Sequence, residues 1–439
     1  GSIDSHNSSV ITPVLIIHRS SANHRPIFGR HALVVWENIR DEKLLAEAHA
    51  EILASTDGKP PPIHDPFAGG GTIPLEAQRL GLEAHASDLN PVAVLINKAL
   101  IEIPPKFRDQ PPVFPGLADS QIRQWKRAEG LAADVRAYGA WMRDEAEKRV
   151  GHLYPKSDGK TIIAWIWART VTCPNPACGI EMPLVRSWWL GKKKGNEAYV
   201  IPSVVPDPTH TSGQRVKFDI GHDATKAPTK DRDGTMSGRT GGVCVACQAS
   251  VPMTHIRSEW TAGRGGERML AVVTEGSRRR TYLAPDDVQE AAAQVVAPVD
   301  SISGEIASNP RWFSPPAYGL TEFTDLFTNR QLVALTTFSD VVTDARRRIL
   351  DDGGTIDYAN AIVTYLGMAV SKTADYCCSL AVWYPNEDRP KNLFAAQAIP
   401  MVWDFPETNP FASIGGRSKQ VSELFLRHLK VWDTDPSDR

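Results

Sequence analysis

Two features of this 439-residue chain could do chemistry: a glycine-rich loop and two pairs of cysteines. The loop has the sequence Asp65-Pro66-Phe67-Ala68-Gly69-Gly70-Gly71-Thr72, and an acidic turn follows it at Asp88-Leu89-Asn90. Glycines let the backbone turn tightly and let a ligand approach where a side chain would collide. A glycine loop followed by a carboxylate predicts a site for a nucleoside-containing cofactor.

The elements that must position this loop follow from the residues around it. The short apolar lead-in from Pro61 to Ile63 predicts a strand, and Ile73 to Leu80 predicts a helix that ends at Gly81. Leu82 to Ala86 predicts a second strand, with Asp88 at its end, where the carboxylate can accept both ribose hydroxyls. In such a βαβ unit the ligand lies at the carboxyl ends of the strands.

The spacing excludes two other cofactor motifs. A phosphate-binding loop needs a lysine after its last glycine, but Gly71 is followed by Thr72. A dinucleotide fingerprint counted from Gly69 needs a third glycine at the position of Pro74. A glycine turn that binds no ligand remains the alternative.

The pattern Asp-Pro-Phe-x-Gly-x-Gly-Thr resembles the cofactor motif of DNA amino-methyltransferases, and Asp88-Leu89-Asn90-Pro91 matches their second motif. In those enzymes the aspartate and the glycines line the methionine end of S-adenosylmethionine. The resemblance therefore implies this cofactor. It implies these cofactor-binding residues: Asp65, Pro66, Phe67, Ala68, Gly69, Gly71, Thr72, Asp88, Leu89 and Asn90.

Four of the six cysteines form two closely spaced pairs, Cys173 with Cys178 and Cys244 with Cys247. Pairs with two to four intervening residues let two thiolates bind one tetrahedral zinc ion, and four thiolates are typical of a structural site. We therefore predict a structural zinc ribbon with a long insertion. Four reduced cysteines without a metal are the alternative. The histidines at 210, 222 and 255 are not expected to be ligands, and Cys377 and Cys378 are expected to lie in the core.

Composition narrows the class of protein. A hydrophobic fraction of 42% over this length is enough for two to three domains, and the net charge of −2 gives no global attraction to nucleic acid. Three basic clusters, at 186 with 192–194, at 278–280 and at 346–348, are each expected to be solvated faces. No apolar run approaches the roughly 20 residues of a membrane span. With no signal peptide evident, we expect a cytoplasmic protein with no membrane partner.

We predict an α/β fold, a partial Rossmann-like methyltransferase core with an inserted zinc ribbon and a helical region. The expected divisions are 1–30, poorly specified; 31–160, the cofactor half; 161–285, the zinc ribbon; and 286–439, mostly helical. Helices are expected in these segments: 31–55, 92–101, 120–151, 286–300, 328–351 and 358–373. Strands are expected at 161–172, 199–205, 215–220 and 269–274, and a loop at 405–416.

Taken together, the motifs resemble the zinc-ribbon-containing family of adenine-specific DNA methyltransferases, domain-of-unknown-function family 1156. The resemblance covers roughly residues 31 to 416 and includes the segments 65–106, 172–184, 244–247, 318–332 and 401–411. It implies a methyltransferase-like core, S-adenosylmethionine, zinc, DNA as substrate, and a role in modification or phage defence with defence-system partner proteins.

One family motif is missing. Amino-methyltransferases carry Asp or Asn followed by Pro-Pro and an aromatic residue, which receives the target amine and stacks on the extruded base. Asn309-Pro310 and Asn409-Pro410 lack the second proline, and Asp435-Pro436 lacks the aromatic residue as well. The family motif would follow at about the point where this sequence stops, so the resemblance implies a fragment. No catalytic residue is therefore assigned.

Two further functions remain open. The first is a non-catalytic zinc-ribbon subunit that binds nucleic acid or a partner protein and keeps the methyltransferase fold. The second is methylation of RNA or protein, which the cofactor motif favours less than methylation of DNA.

Overall fold

A computed structural model describes the greater part of the chain. The described residues are 38, 41–118, 124–229, 233–238, 240–276, 279–309, 311–394 and 398–412. Helices and strands are mixed along the chain, as the predicted α/β class requires. No helix among the described residues is long and apolar enough to cross a membrane. The predicted segment 1–30 and the catalytic-motif candidate at 435–437 lie outside the described residues.

The chain divides into two compact units. The first comprises Gly1–Pro112, Gly116–Leu131 and Ile356–Thr364, and the second comprises Val113–Pro115, Ala132–Thr355 and Tyr365–Arg439. The elements of the first unit are helix α1 (Glu42–Ser55), strand β1 (Ile63–Asp65), helix α2 (Thr72–Arg79), strand β2 (Ala84–Ala86), helix α3 (Pro91–Asn97) and helix α4 (Ile103–Lys106).

The first unit contains the predicted βαβ arrangement in a shortened form. Strands β1 and β2 pair in parallel, with Ile63 opposite Ala84 and Asp65 opposite Ala86. Strand β1 begins only at Ile63, because the preceding prolines have no N–H to donate to a ladder. Helix α2 connects the two strands, and Gly81 after it has a φ of 72°, a left-handed conformation that suits glycine.

The helix after the acidic turn corrects a prediction. The predicted helix 92–101 ends before Pro104-Pro105, but the helical segment runs through both prolines. Helix α3 passes into a π-helical segment, Lys98–Glu102, which passes directly into α4. Because the bonding pattern changes at this junction, the prolines fall in the first turn of α4, where a missing N–H costs little.

Helix α5 (Glu129–Val150) begins later in the chain than the predicted helix 120–151. Its predicted origin near residue 120 falls in 119–123, outside the described residues, and Trp125 precedes the helix. Arg127 has a φ of 51°, which no α-helix accommodates, and the Glu129 carboxylate accepts the N–H of Lys126. The helix therefore begins at Glu129 and buries Leu131, Val135 and Tyr138.

The sheet of the second unit is built around one buried strand. Its strands are β3 (Ile162–Thr172), β4 (Glu181–Leu184), β10 (Gly266–Thr274), β11 (Thr281–Leu283) and β14 (Asp404–Thr408). The order is β11-β10-β3-β14, β4 also pairs with β3, and every pairing is antiparallel. All residues of β3 except Thr172 are buried, as its apolar sequence predicts.

Strand β14 overturns the prediction of a loop at 405–416 for the part of that segment that is described. The sequence Asp-Phe-Pro-Glu-Thr has no strand pattern of its own and contains a proline. The segment is a strand because β3 supplies the pairing partners, with Phe405 opposite Trp167 and Thr408 opposite Ala164. Long-range packing therefore overrides local propensity here.

The remaining strands form smaller sheets. Strands β5 (Trp189–Gly191), β6 (Ala198–Pro206) and β7 (Gln214–Gly221) form a three-stranded sheet, and the two long strands match the predicted segments. Two hairpins complete the set, one of β8 (Gly241–Val243) with β9 (Ser250–Pro252) and one of β12 (Val382–Tyr384) with β13 (Arg389–Lys391).

Four more helices follow in the chain. They are α6 (Met253–Thr261), α7 (Asp287–Ala292), α8 (Asn329–Asp351) and α9 (Ile356–Tyr376). Thr328 caps α8, since its hydroxyl accepts the N–H of Gln331 and the Gln331 side chain accepts the N–H of Thr328. Helix α7 is much shorter than the predicted 286–300: it ends at Ala292, six residues before Pro298, and the Val295 carbonyl beyond it accepts the Asn329 side-chain amide at 2.9 Å.

A buried ion pair joins strand β14 to helix α8. The side chains of Arg330 and Glu407 are 0% and 1% exposed, and Arg330 Nε lies 3.0 Å from Glu407 Oε1. The Glu407 carboxylate also accepts the Trp167 indole N–H at 2.8 Å and the Thr328 hydroxyl at 2.6 Å. Both charges are therefore removed from water with their hydrogen-bonding capacity largely satisfied.

Candidate cofactor loop and metal centre

The glycine loop follows directly from β1 and turns at two left-handed glycines. Gly69 has a φ of 51° and Gly71 a φ of 81°, and Gly71 is the N-cap of α2. A Cβ at Gly71 would lie 2.6 Å from Asn97 Oδ1, whereas a Cβ at Gly70 would meet no atom within 4 Å. Gly71 is therefore required by packing and backbone geometry, and the space above Gly70 is open.

The acidic turn after β2 is hydrogen-bonded to the glycine loop. The Asp88 carboxylate accepts the Gly69 N–H at 2.8 Å with one oxygen and the Asn90 N–H at 2.8 Å with the other. The Asn90 and Gly69 N–H groups lower the pKa of Asp88, in that order of effect. The two segments predicted to bind a cofactor thus meet at the carboxyl ends of β1 and β2, and Asp88 is held there as a carboxylate.

The other predicted cofactor residues lie on the same two segments but differ in exposure. Asp65 is 8% exposed, and its carboxylate accepts the Phe67 N–H at 3.2 Å. Ala68 is buried, while Pro66, Thr72 and Asn90 are exposed. Phe67 and Leu89 are 83% and 96% exposed. Two large apolar side chains on these segments are therefore exposed to water.

Asn97 was not singled out by sequence reasoning, although it supports the loop. From the last turn of α3 its amide donates to the Gly69 carbonyl at 3.0 Å and to the Ala93 carbonyl at 2.8 Å. Its Oδ1 is buried, and no partner for that oxygen is found among the described residues. A single asparagine in a helix gives no signal of this contact in the sequence.

The four paired cysteines come together in the second unit. Sγ of Cys173 lies 3.6 Å from Sγ of Cys247, and Sγ of Cys178 lies 3.9 Å from Sγ of Cys244. All four sulfurs lie within 4.8 Å of one another. Four sulfurs at about 2.3 Å from a tetrahedral zinc ion would be about 3.8 Å apart. The cluster therefore has the donor atoms and the approximate spacing of a four-thiolate zinc site.

Two similar turns build the cluster. Cys173 follows the last residue of β3, and Cys244 follows the last residue of β8. In each turn the residue after the second cysteine has a left-handed backbone, Gly179 with a φ of 54° and Gln248 with a φ of 60°. The N–H of Cys173 donates to Ile180 and the N–H of Cys244 to Ala249, so each turn closes on its own backbone.

The thiols of the cluster differ in environment. Burial raises the pKa of Cys173 and, less strongly, that of Cys244. Cys247 is exposed, and the Ala249 N–H lowers the pKa of its thiol to about 7. Metal-free, the cluster would therefore combine a thiol that ionises near neutral pH with thiols that resist ionisation, and a dication would favour the thiolate form of all four.

The other histidines and cysteines considered from the sequence have different partners. Nδ1 of His210 contacts the Ser212 hydroxyl, Nδ1 of His222 contacts the Glu197 carbonyl, and Nε2 of His255 contacts the Thr172 carbonyl. Cys377 and Cys378 are both buried, as predicted. Burial raises the pKa of Cys378 to about 12 and that of Cys377 further. Neither is activated as a nucleophile.

The two described candidates for a target-amine motif differ in what they can bind. The Asn409 amide is 3% exposed and donates to the Ile162 carbonyl at 2.8 Å, while its oxygen accepts the Phe411 N–H at 2.9 Å. Asn409 is thus committed to the fold and cannot receive a base. Asn309 is exposed, and its oxygen accepts the Arg311 N–H at 3.2 Å.

Comparisons of this chain with models of protein families, with curated proteins and with solved structures found no match.

Proposed function

We propose that this chain carries the S-adenosylmethionine site of a DNA adenine amino-methyltransferase of a modification or phage-defence type. The observation that carries the proposal is the 2.8 Å hydrogen bond between the Gly69 N–H and the Asp88 carboxylate, at the carboxyl ends of two parallel strands. Ligands of α/β folds bind at this edge. The proposal therefore takes the βαβ unit as part of a Rossmann-like core.

The residues at this edge suit a nucleoside. Each Asp88 oxygen accepts one backbone N–H and keeps a lone pair, so the carboxylate can also accept two ribose hydroxyls. The open space above Gly70 admits the ligand close to the backbone. The exposed side chains of Phe67 and Leu89 provide apolar surface for the flat faces of a base.

The chain's own contribution would be to bind and orient the methyl donor. S-adenosylmethionine supplies an activated methyl group when bound. Asp88 would hold the ribose, and Asp65 with the adjacent glycines would line the methionine end, as in the enzymes that the loop resembles. Catalysis in such a direct transfer depends chiefly on positioning, with the target base turned out of the helix.

The family motif that receives the target amine has no match among the described residues. Asn409 is buried and hydrogen-bonded on both sides, and Asn309 is followed by a single proline and then Arg311. We therefore propose that the chain alone binds the cofactor and transfers methyl groups slowly or not at all. Labelled S-adenosylmethionine and duplex DNA test this, and rapid methylation by the chain alone would contradict it.

The cysteine cluster is proposed to hold structural zinc in a zinc ribbon. All four donors are thiolates, which leaves no position open for a substrate. A cytoplasmic location fits four free thiols that lie close enough to form disulfides. A reducing compartment keeps such thiols from oxidising and leaves them available for a metal. DNA and defence-system proteins are the partners that this proposal implies.

A non-enzymatic subunit is the second candidate. The burial of Asn409 favours it, because a buried and hydrogen-bonded asparagine cannot receive a target base. If the methyltransferase fold were kept only for structure, the zinc ribbon would bind nucleic acid or a partner protein, and the glycine loop would need no ligand. This candidate predicts no binding of S-adenosylmethionine.

Calorimetry with S-adenosylmethionine separates the two candidates. The matched variants are Asp88→Ala and Asp41→Ala. Asp41 is likewise an aspartate of the first unit; it is exposed, and its carboxylate accepts one backbone N–H, that of Leu44 at the start of α1. We expect measurable binding by the wild type and by Asp41→Ala, and loss of binding in Asp88→Ala. No binding by the wild type, or equal binding by both variants, would favour the non-enzymatic subunit.

A further inference from the structure

Two basic segments that are far apart in the sequence meet on one surface of the second unit. Lys192, Lys193 and Lys194 lie in the turn between β5 and β6, and Arg279 lies in the turn between β10 and β11. The Arg279 guanidinium donates to the carbonyl of Gly195, which joins the two turns. We call Lys192, Lys193, Lys194 and Arg279 the basic face. All four side chains belong to exposed residues.

A third turn, between β12 and β13, holds the lysines in place. The Lys192 N–H donates to the Pro385 carbonyl at 3.0 Å, and Lys193 Nζ lies 2.7 Å from Asp388 Oδ2. The Asp388 side chain is 3% exposed and also accepts the Tyr282 hydroxyl at 2.7 Å. The backbone of the lysine turn is therefore fixed by contacts to its neighbours, so it would lose little conformational freedom on binding.

The surface has an excess of positive charge in a chain whose net charge is −2. The three segments 191–197, 275–280 and 384–391 contain eight Lys or Arg and four Asp or Glu in sequence. Lys193 is neutralised by Asp388. No ion pair found among the described residues involves Lys192, Lys194 or Arg279, so no carboxylate found there neutralises these three charges.

We propose that the basic face contacts the phosphate backbone of duplex DNA. Exposed cations carried on joined turns suit the regular charges of a rigid polyanion, and phosphate contacts supply affinity without reading sequence. Lys192 Nζ lies 5.2 Å from the centre of the Trp189 ring, so an aromatic plane lies beside the cations. The choice of DNA rests on the proposed function, but the contact itself needs no cofactor.

Fluorescence anisotropy with a short labelled DNA duplex, measured over a series of salt concentrations, tests the proposal. The test variant is Lys192→Ala with Lys194→Ala. The matched control is Arg215→Ala with Lys217→Ala, which removes the same charge from exposed residues paired with Asp207 and Asp219. We expect the test variant to bind about tenfold more weakly or worse, with a salt slope shallower by about 0.9 for each phosphate that is no longer neutralised.

The control should keep the wild-type affinity and slope. Wild-type affinity in the test variant, or an equal loss in the control, would overturn the proposal. The proposal would also be overturned if the wild type bound phosphatidylserine vesicles at a salt concentration at which it does not bind DNA. Lys192→Arg with Lys194→Arg should restore binding if charge, and not local unfolding, is responsible. Calorimetry with S-adenosylmethionine on the test variant keeps failure of this proposal distinct from failure of the cofactor site.

Discussion

Replacing Cys173 with serine is expected to release zinc from the cysteine cluster. The Cys173 sulfur is buried and lies 3.6 Å from that of Cys247, inside a set of four sulfurs within 4.8 Å. Structural zinc sites bind with about 10–16 kcal/mol. If four thiolates share this equally, losing one costs about 2.5–4 kcal/mol, or roughly two to three orders of magnitude in zinc affinity.

Cys377→Ser is the matched control, because Cys377 is also a buried cysteine but contacts the Thr408 carbonyl and lies outside the cluster. The assay is zinc content by elemental analysis after dialysis against a weak chelator, with Cys247→Ser measured in parallel. We expect one zinc per chain in the wild type and in Cys377→Ser, and strongly reduced zinc in both cluster variants. Full zinc in both cluster variants, or an equal loss in the control, would refute the four-thiolate site.

Three other predictions concern stability and the glycine loop. Gly71→Ala should destabilise the first unit by more than about 1 kcal/mol, because the φ of Gly71 is left-handed and a Cβ would collide with Asn97. Gly70→Ala should have the melting temperature of the wild type but bind S-adenosylmethionine more weakly. Equal melting temperatures for the two variants would contradict this prediction. Glu407→Gln should cost about 3–5 kcal/mol in urea unfolding, because it leaves the Arg330 charge buried and unpaired; a cost below about 1 kcal/mol would refute it. Burial raises the pKa of Asp404 to about 6, so the folded state favours the neutral form of this side chain. The resulting contribution to folding stability is fully present below about pH 4 and is lost as the pH rises through about 6. Asp404→Asn should therefore be about 1–3 kcal/mol more stable than the wild type at pH 7.5 and no more stable at pH 4, whereas a gain only at low pH would reverse the sign.

Local patterns were sufficient to predict several elements and the clustering of the four cysteines. Thr328 is a helix-capping residue followed three positions later by Gln331, and helix α8 begins after it. The apolar run of β3 predicted a buried strand. The pairing of the four cysteines also follows from short spacing, which allows a tight turn at each pair to present two sulfurs to one point.

The misses have a common physical origin in contacts that local sequence does not encode. Strand β14 contains Pro406 and has no alternating pattern, and only its pairing with β3 makes it a strand. The hydrogen bond from Asn97 to Gly69 depends on how α3 packs against the loop. The basic face depends on a meeting of turns that lie about 80 residues apart, so each cluster alone predicted only a solvated surface.

The pairing of β3 with β14 also bears on how the protein reaches its native state during synthesis. The hydrogen bond between Trp167 and Glu407 joins residues 240 positions apart, whereas the contact between Cys173 and Cys247 spans 74. A nascent chain can therefore close the cysteine cluster long before β14 emerges from the ribosome. Until then the part of β3 from Ala164 to Ala168 lacks its β14 partner on one edge, although β4 can already pair with Arg169 to Thr172. This apolar stretch stays open to self-association, so aggregation should compete with folding chiefly during this interval.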